Sequence, residues 1–112
     1  MALPTGSGSE RLRRATLNDN TGWTEIISGT NLHIYTIISI IGNNRHSSSN
    51  AMSIRMNNGS VDINLTEGVS VPTGGTYVFN DRFVLEEDDD LDIYSVSNSD
   101  WIVSYIDQNW EN

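Results

Sequence analysis

The chain has 112 residues, a formal charge of −9, and neither cysteine nor lysine. That length suits one domain with a single core. The missing cysteine excludes a disulfide framework or a thiolate metal site, and the acidic balance argues against direct nucleic-acid binding by the domain. No stretch approaches the roughly 18 to 20 apolar residues of a membrane span, and the first ten residues lack the charged-then-apolar order of a secretion signal. A soluble protein made in a cytoplasm, with no membrane partner, is the expectation. Twelve isoleucines favour strands, because branching at Cβ restricts χ1 in a helix. Asn and Ser supply 27 residues, clustered in runs such as Gly42-Asn43-Asn44 and Ser47-Ser48-Ser49-Asn50 that favour turns.

Residues 1–9 (MALPTGSGS) are small and Gly/Ser-rich and form no packed element alone. With Arg11, Arg13 and Arg14 against Glu10 and Asp19, residues 1–20 carry +1 and the remainder −10. Residues 1–14 therefore read as an extended arm and residues 15–112 as one β-sandwich domain. Residues 11–18 begin as a linker and end as the first strand. Strands follow at 24–28 (TEIIS) and 32–41 (LHIYTIISII), split by a turn at Ser28-Gly29-Thr30-Asn31. The second of these is apolar on both faces, as expected of a central strand covered on both sides.

Residues 51–57 (AMSIRMN) set Met52, Ile54 and Met56 on one face, and 60–65 (SVDINL) align Val61, Ile63 and Leu65. Asn58-Gly59 between them is a strong hairpin signal, because both residues tolerate positive φ. After Pro72, residues 76–85 (TYVFNDRFVL) read as one long strand interrupted at Asn80-Asp81 by a bulge. Leu91, Ile93, Tyr94 and Val96 carry the pattern of the next strand, and Trp101, Val103 and Tyr105 that of the last. About eight short strands without a helix indicate an antiparallel β-sandwich of jelly-roll type.

Glu86, Glu87, Asp88, Asp89 and Asp90, followed by Asp92, form the sharpest charged feature. Ca²⁺ needs such oxygens, but the alternating Asp ligands and central Gly of an EF-hand loop are missing, so no metal is expected. A solvated acidic turn that discourages edge aggregation is the plain reading. The sharper one is a docking site for Arg11, Arg13 or Arg14 of a neighbouring subunit, through bidentate carboxylate pairing. His33 and His46 are the only histidines and sit apart, no Gly-x-Ser-x-Gly elbow occurs, and Gly74-Gly75 reads as a turn. No catalytic residue, cofactor or enzyme activity is expected. Core packing accounts for most of the aromatic residues; Trp110, near the end in DQNWEN, is exposed unless a neighbouring chain or the body covers it.

The order of these features, RLRR in a Pro/Gly arm, LHIYTIISII, the NNGS hairpin, VPTGGTYVFNDRFVLEEDDDLDIYS and DWIVSYIDQNW, resembles the small β-sandwich virion structural proteins of tailed phages, of decoration, neck or fibre-associated type. The resemblance spans nearly the whole chain. It implies a virion component whose partner is the major capsid protein or another virion protein, and a homo-oligomer with a trimer favoured. Two placements stay open. A capsid decoration, or cement, protein would bind the outer shell and neighbouring subunits through its arm. A neck, tail or fibre-linked module would bind another tail protein or a host glycan through exposed aromatics and the loop at residues 43–50.

Overall fold

Alternating apolar and polar residues, punctuated by Gly, Asn and Asp turns, form nine strands in the computed structural model, which describes residues 9–110. They are β1 (Ser9–Asn20), β2 (Thr24–Ser28), β3 (His33–Asn44), β4 (Asn50–Asn57), β5 (Asp62–Val71), β6 (Thr76–Phe79), β7 (Phe83–Leu85), β8 (Asp90–Ser95) and β9 (Ser99–Asn109). One sheet has the order β1-β9-β3-β6, with β7 also on β3, and the other has β2-β8-β4-β5. All pairings are antiparallel. β6 and β7 pair with the two halves of β3, Ile40–Asn43 and Tyr35–Ile37, and are one strand broken at residues 80–82. Counted so, the order is the eight-strand jelly roll built of two Greek keys, and the expected interruption at Asn80-Asp81 is where the ninth strand arises.

Of the arm expected over residues 1–14, residues 9–14 are the first half of β1 and pair with Ser104 to Asn109 of β9. Residues 1–8 lie outside the described residues. The core between the sheets holds Ile37, Ile40, Leu85 and Val103 from one side and Met52, Ile54, Leu91 and Ile93 from the other, all fully buried. Each contributes about 1.5–3 kcal/mol by leaving water. Trp101 lies on the core floor, where its Nε1 donates to Ser99 Oγ at 2.7 Å, so the large ring is buried without an orphaned donor. Gly42 makes room for it: a Cβ there would come within 2.7 Å of Met52 and 2.8 Å of the Trp101 ring.

Three expectations about faces are corrected. β3 is central within its sheet but, among the described residues, covered on one face only; Tyr35, Ile37 and Ile40 turn inward, while Ile41 is exposed on the other side. On β8 the inward residues are Leu91, Ile93 and Ser95, which leaves Val96 exposed. In the β4–β5 hairpin the Asn58-Gly59 turn forms as expected, with Gly59 at φ 93°. Val61 and Ile63, at the turn end of the hairpin, are exposed; beyond them the register shifts on either side of Ile54, and Leu65, passed over between Asn64 and Thr66, packs on the core.

Candidate assembly interface

Alternation along β1 divides its arginines between faces. Arg11 and Arg13 lie on the side of the sheet that carries Asp107 and Tyr105, and Arg14 lies with Leu12 on the opposite side, beside Ser104. Asp107 is buried and joins three strands: its Oδ2 accepts from Arg13 Nη1 at 3.2 Å, and its Oδ1 lies 2.7 Å from His33 Nδ1. The hydrogen bond to Asp107 raises the already high pKa of Arg13, and burial raises that of Tyr105. Arg45 pairs with Asp19 and Asp100, each at 3.6 Å, and Arg55 with Asp92 at 3.1 Å and Asp62 at 3.5 Å. Arg11, Arg14 and Arg82 form no ion pair among the described residues.

The acidic turn is ordered by its own backbone. Asp89 N donates to Glu86 O at 3.0 Å, Asp89 Oδ2 accepts from Glu86 N at 2.8 Å, and Gly29 N donates to Asp89 O at 2.7 Å. Asp90 Oδ1 accepts from Ser28 Oγ at 3.3 Å. Of the five residues singled out here, Asp89 and Asp90 thus hold the turn together. Glu86, Glu87 and Asp88 form no ion pair among the described residues, and Glu86 and Asp88 are exposed. The turn and the arginines of β1 are not joined within the chain. Trp110 folds back on its own body, where its N–H donates to Leu32 O at 2.9 Å and its ring is half-buried. Its indole Nε1 is buried with no hydrogen-bond partner among the described residues.

Residues 43–50 are anchored by two buried asparagines. Asn44 Nδ2 donates to Ser48 O at 2.9 Å and Val71 O at 3.0 Å, and Asn50 Nδ2 donates to Ser97 O at 2.9 Å. On the outer face of the second sheet Trp23 is 41% exposed, with the Arg55 guanidinium 3.8 Å from its ring centre and Tyr94 at 5.1 Å. Glu25 stands nearby on β2; burial, helped by the neighbouring carboxylates Asp90 and Asp92, raises its pKa. Among the described residues no group of three or more His, Asp or Glu is arranged to hold a metal.

The outer face of the first sheet has a different character, which the sequence reading missed. Two rows cross its strands: Leu12, Ile106, Thr36 and Val84 in one, Thr16, Ile102, Ile41 and Val78 in the other. Leu12 is 72%, Val78 49% and Ile102 42% exposed. Between the rows a cleft of about 370 Å³ is lined by Leu12, Arg13, Arg14 and Ser104. The signal was present in Ile102 and Ile106, which interleave with Trp101, Val103 and Tyr105 and make β9, like β3, apolar on both faces.

The architecture has known counterparts. A chain from infectious bursal disease virus, Gx strain, is similar over 100% of this chain and 36% of its own length, with a TM-score of 0.55 and 8% identity. A chain of the T13 IBDV viral particle is similar over 95% of this chain and 37% of its own, with a TM-score of 0.50 and 7% identity. A chain of the Bacillus endospore appendages, described as disulfide-linked pili, is similar over 100% of this chain and 97% of its own, with a TM-score of 0.56 and 12% identity. The chain therefore spans about a third of the viral chains and nearly all of the pilus chain. At these identities the likeness is one of fold. No protein-family model and no curated protein matches the chain.

Proposed function

We propose that this protein is a non-catalytic structural subunit of a virion, acting as a capsid decoration protein that binds the outer shell and neighbouring copies of itself. The observation that carries this reading is a jelly roll whose exposed charges are left uncommitted in complementary sets. Arg11 and Arg14 on β1, and Glu86 and Asp88 in a turn stiffened by Asp89, have no ion pair among the described residues. A rigid carboxylate cluster and guanidinium groups fixed on a strand suit pairing between subunits, where many weak contacts add through multiplicity. The viral-particle chains that share the fold support a virion setting, and the pilus chain supports assembly of such a module into larger structures. Those pili are disulfide-linked, whereas these 112 residues hold no cysteine with which to form such a link. A second placement, in a neck, tail or fibre module that binds a glycan, is favoured by Trp23, whose exposed indole rests beside Arg55 and Tyr94 and suits stacking on a sugar face.

Copy number in purified particles, measured by quantitative mass spectrometry against the major capsid protein, tests the proposal. A ratio near one supports decoration, a ratio of a few per cent moves the chain to the neck, tail or fibres, and absence from particles overturns the virion reading. Deleting residues 1–14 is the wrong probe of the contact, because it removes half of a paired strand. Arg11→Glu with Arg14→Glu leaves the backbone ladder in place and should weaken particle binding, most visibly at low salt.

A further inference from the structure

We infer that the outer face of β1, β9, β3, β6 and β7 is an interface between two copies of this chain, packed sheet on sheet. Antiparallel sandwiches ordinarily turn one face of each sheet to a core and the other, polar face to water. The second sheet obeys, with Arg55, Asp92 and Glu25 on its outer side. On the first sheet the two inner strands carry no charged residue outward from Ile102 to Gln108 or from Ile34 to Asn43. Charge lies at the margins: Glu10 and Arg14 on β1, Asp100 beyond Ile102, and the exposed Asp81 and Arg82 at the break between β6 and β7. An exposed face of this kind, apolar in the middle and rimmed by polar groups, marks an interaction surface.

A second copy is the occupant that this face fits. Packed on itself, it buries no charge at its centre, and the rows through Ile106 and Ile102, separated by the small side chains of Ser104 and Ser39, form ridges and a groove that interdigitate with an identical set. Four strands about 4.8 Å apart and about ten residues long give a footprint near 19 by 33 Å. That is on the order of 600 Å² per copy and about 1,200 Å² for the pair, the lower end of a standard stable interface. The contact is self-complementary and closes at two copies, so it favours a two-fold pair over a trimer. It needs no shell, and it stands even if the chain is not found in particles.

Sedimentation velocity of the isolated chain over a concentration series tests this. A dimer is expected at about 100 µM, and the double variant Leu12→Ser, Ile102→Thr should associate at least about a hundredfold more weakly, since each buried side chain is lost from both copies. Circular dichroism checks that the variant folds. Because the chain has no cysteine, Ser104→Cys places a single thiol at the centre of the face in an otherwise native chain. A short bis-maleimide should link two copies through it, which decides the matter if the double variant fails to fold. A wild-type chain that stays monomeric, a trimer indifferent to the double variant, or association confined to particle shells would each overturn the inference.

Discussion

Replacing Asp107 with Ala tests whether one buried carboxylate fastens the first half of β1 to the body. Asp107 is 5% exposed and lies 2.7 Å from His33 Nδ1 on β3 and 3.2 Å from Arg13 Nη1 on β1. A hydrogen bond involving a charged group contributes about 1.5–3 kcal/mol. Arg13 is half exposed, so water screens its share to about 1 kcal/mol or less. The expected loss is then about 2–4 kcal/mol, seen as a melting temperature lower by about 10 °C in a domain of this size. Asp107→Asn keeps the shape and one acceptor and should lose about half as much. The damage should be local as well as global, because residues 9–14 are exposed on both faces and, among the described residues, pair with β9 alone. Hydrogen exchange should therefore quicken at Leu12 and Arg14 more than at Ile54 and Ile93 in the other sheet. Stability of Asp107→Ala within about 0.5 kcal/mol of the wild type, with unchanged exchange along β1, would refute the reasoning.

Asn44→Ala strips carbonyls Ser48 O and Val71 O of their donor and His46 N of its 2.8 Å acceptor, and should cost about 3 kcal/mol in urea denaturation. Gly42→Ala drives a methyl group against Met52 and Trp101, and should cost about 1–3 kcal/mol and perturb the near-UV signal of Trp101. Trp110→Phe removes the unpaired indole N–H together with the five-membered ring, so relief of the orphaned donor should offset most of the lost packing and stability should stay within about 1 kcal/mol of the wild type in urea denaturation; a fall of more than about 2 kcal/mol would refute the orphaned donor as a cost. Glu25 has a raised pKa, so its charged form is disfavoured in the fold and its contribution falls as pH climbs through the folded pKa. Glu25→Gln should melt higher than the wild type at neutral pH, and the advantage should vanish below the ordinary carboxylate value of 4.5.

The hairpin of β4 and β5 was legible because its signal is local: Asn58 and Gly59 accept the turn backbone and alternation flanks them. What depended on a distant partner was not. One of the two slips of β5 against β4 had a local sign that went unread, Gly68 at φ 63° beside the shift between Met52 and Ile54, while the other, between Ile54 and Arg55, has none. Arg11 to Arg14 read as part of an arm because strand pairing with β9 runs through the backbone, to which charged side chains on an edge are indifferent. Asn44 and Asn50 read as loop residues; their buried work rests on the carbonyls of Val71 and Ser97, far along the chain. Periodicity found both apolar faces of β3 and gave no means of knowing that the fold covers one. On the candidate contact, composition located the charged groups and geometry sorted them, setting Arg13, Asp89 and Asp90 to internal work and leaving Arg11, Arg14, Glu86 and Asp88 exposed.

The two kinds of contact available to this chain respond oppositely to solution conditions. Ion pairs between β1 and the acidic turn of a neighbour would be exposed, and exposed pairs lose most of their attraction once the Debye length falls below about 10 Å. Packing through Leu12, Ile102 and Ile106 removes apolar surface from water, which excluded salts such as sulfate strengthen. With no cysteine to lock a subunit in place, an assembly that used only the first contact would shed this protein as salt rises. One built on apolar pairs tied down by charged contacts would shed the pairs intact, so salt elution from an assembled particle should release a species twice the mass of the 12.4 kDa chain. Release of single chains would place the arginine contacts, and not the apolar face, at the centre of assembly.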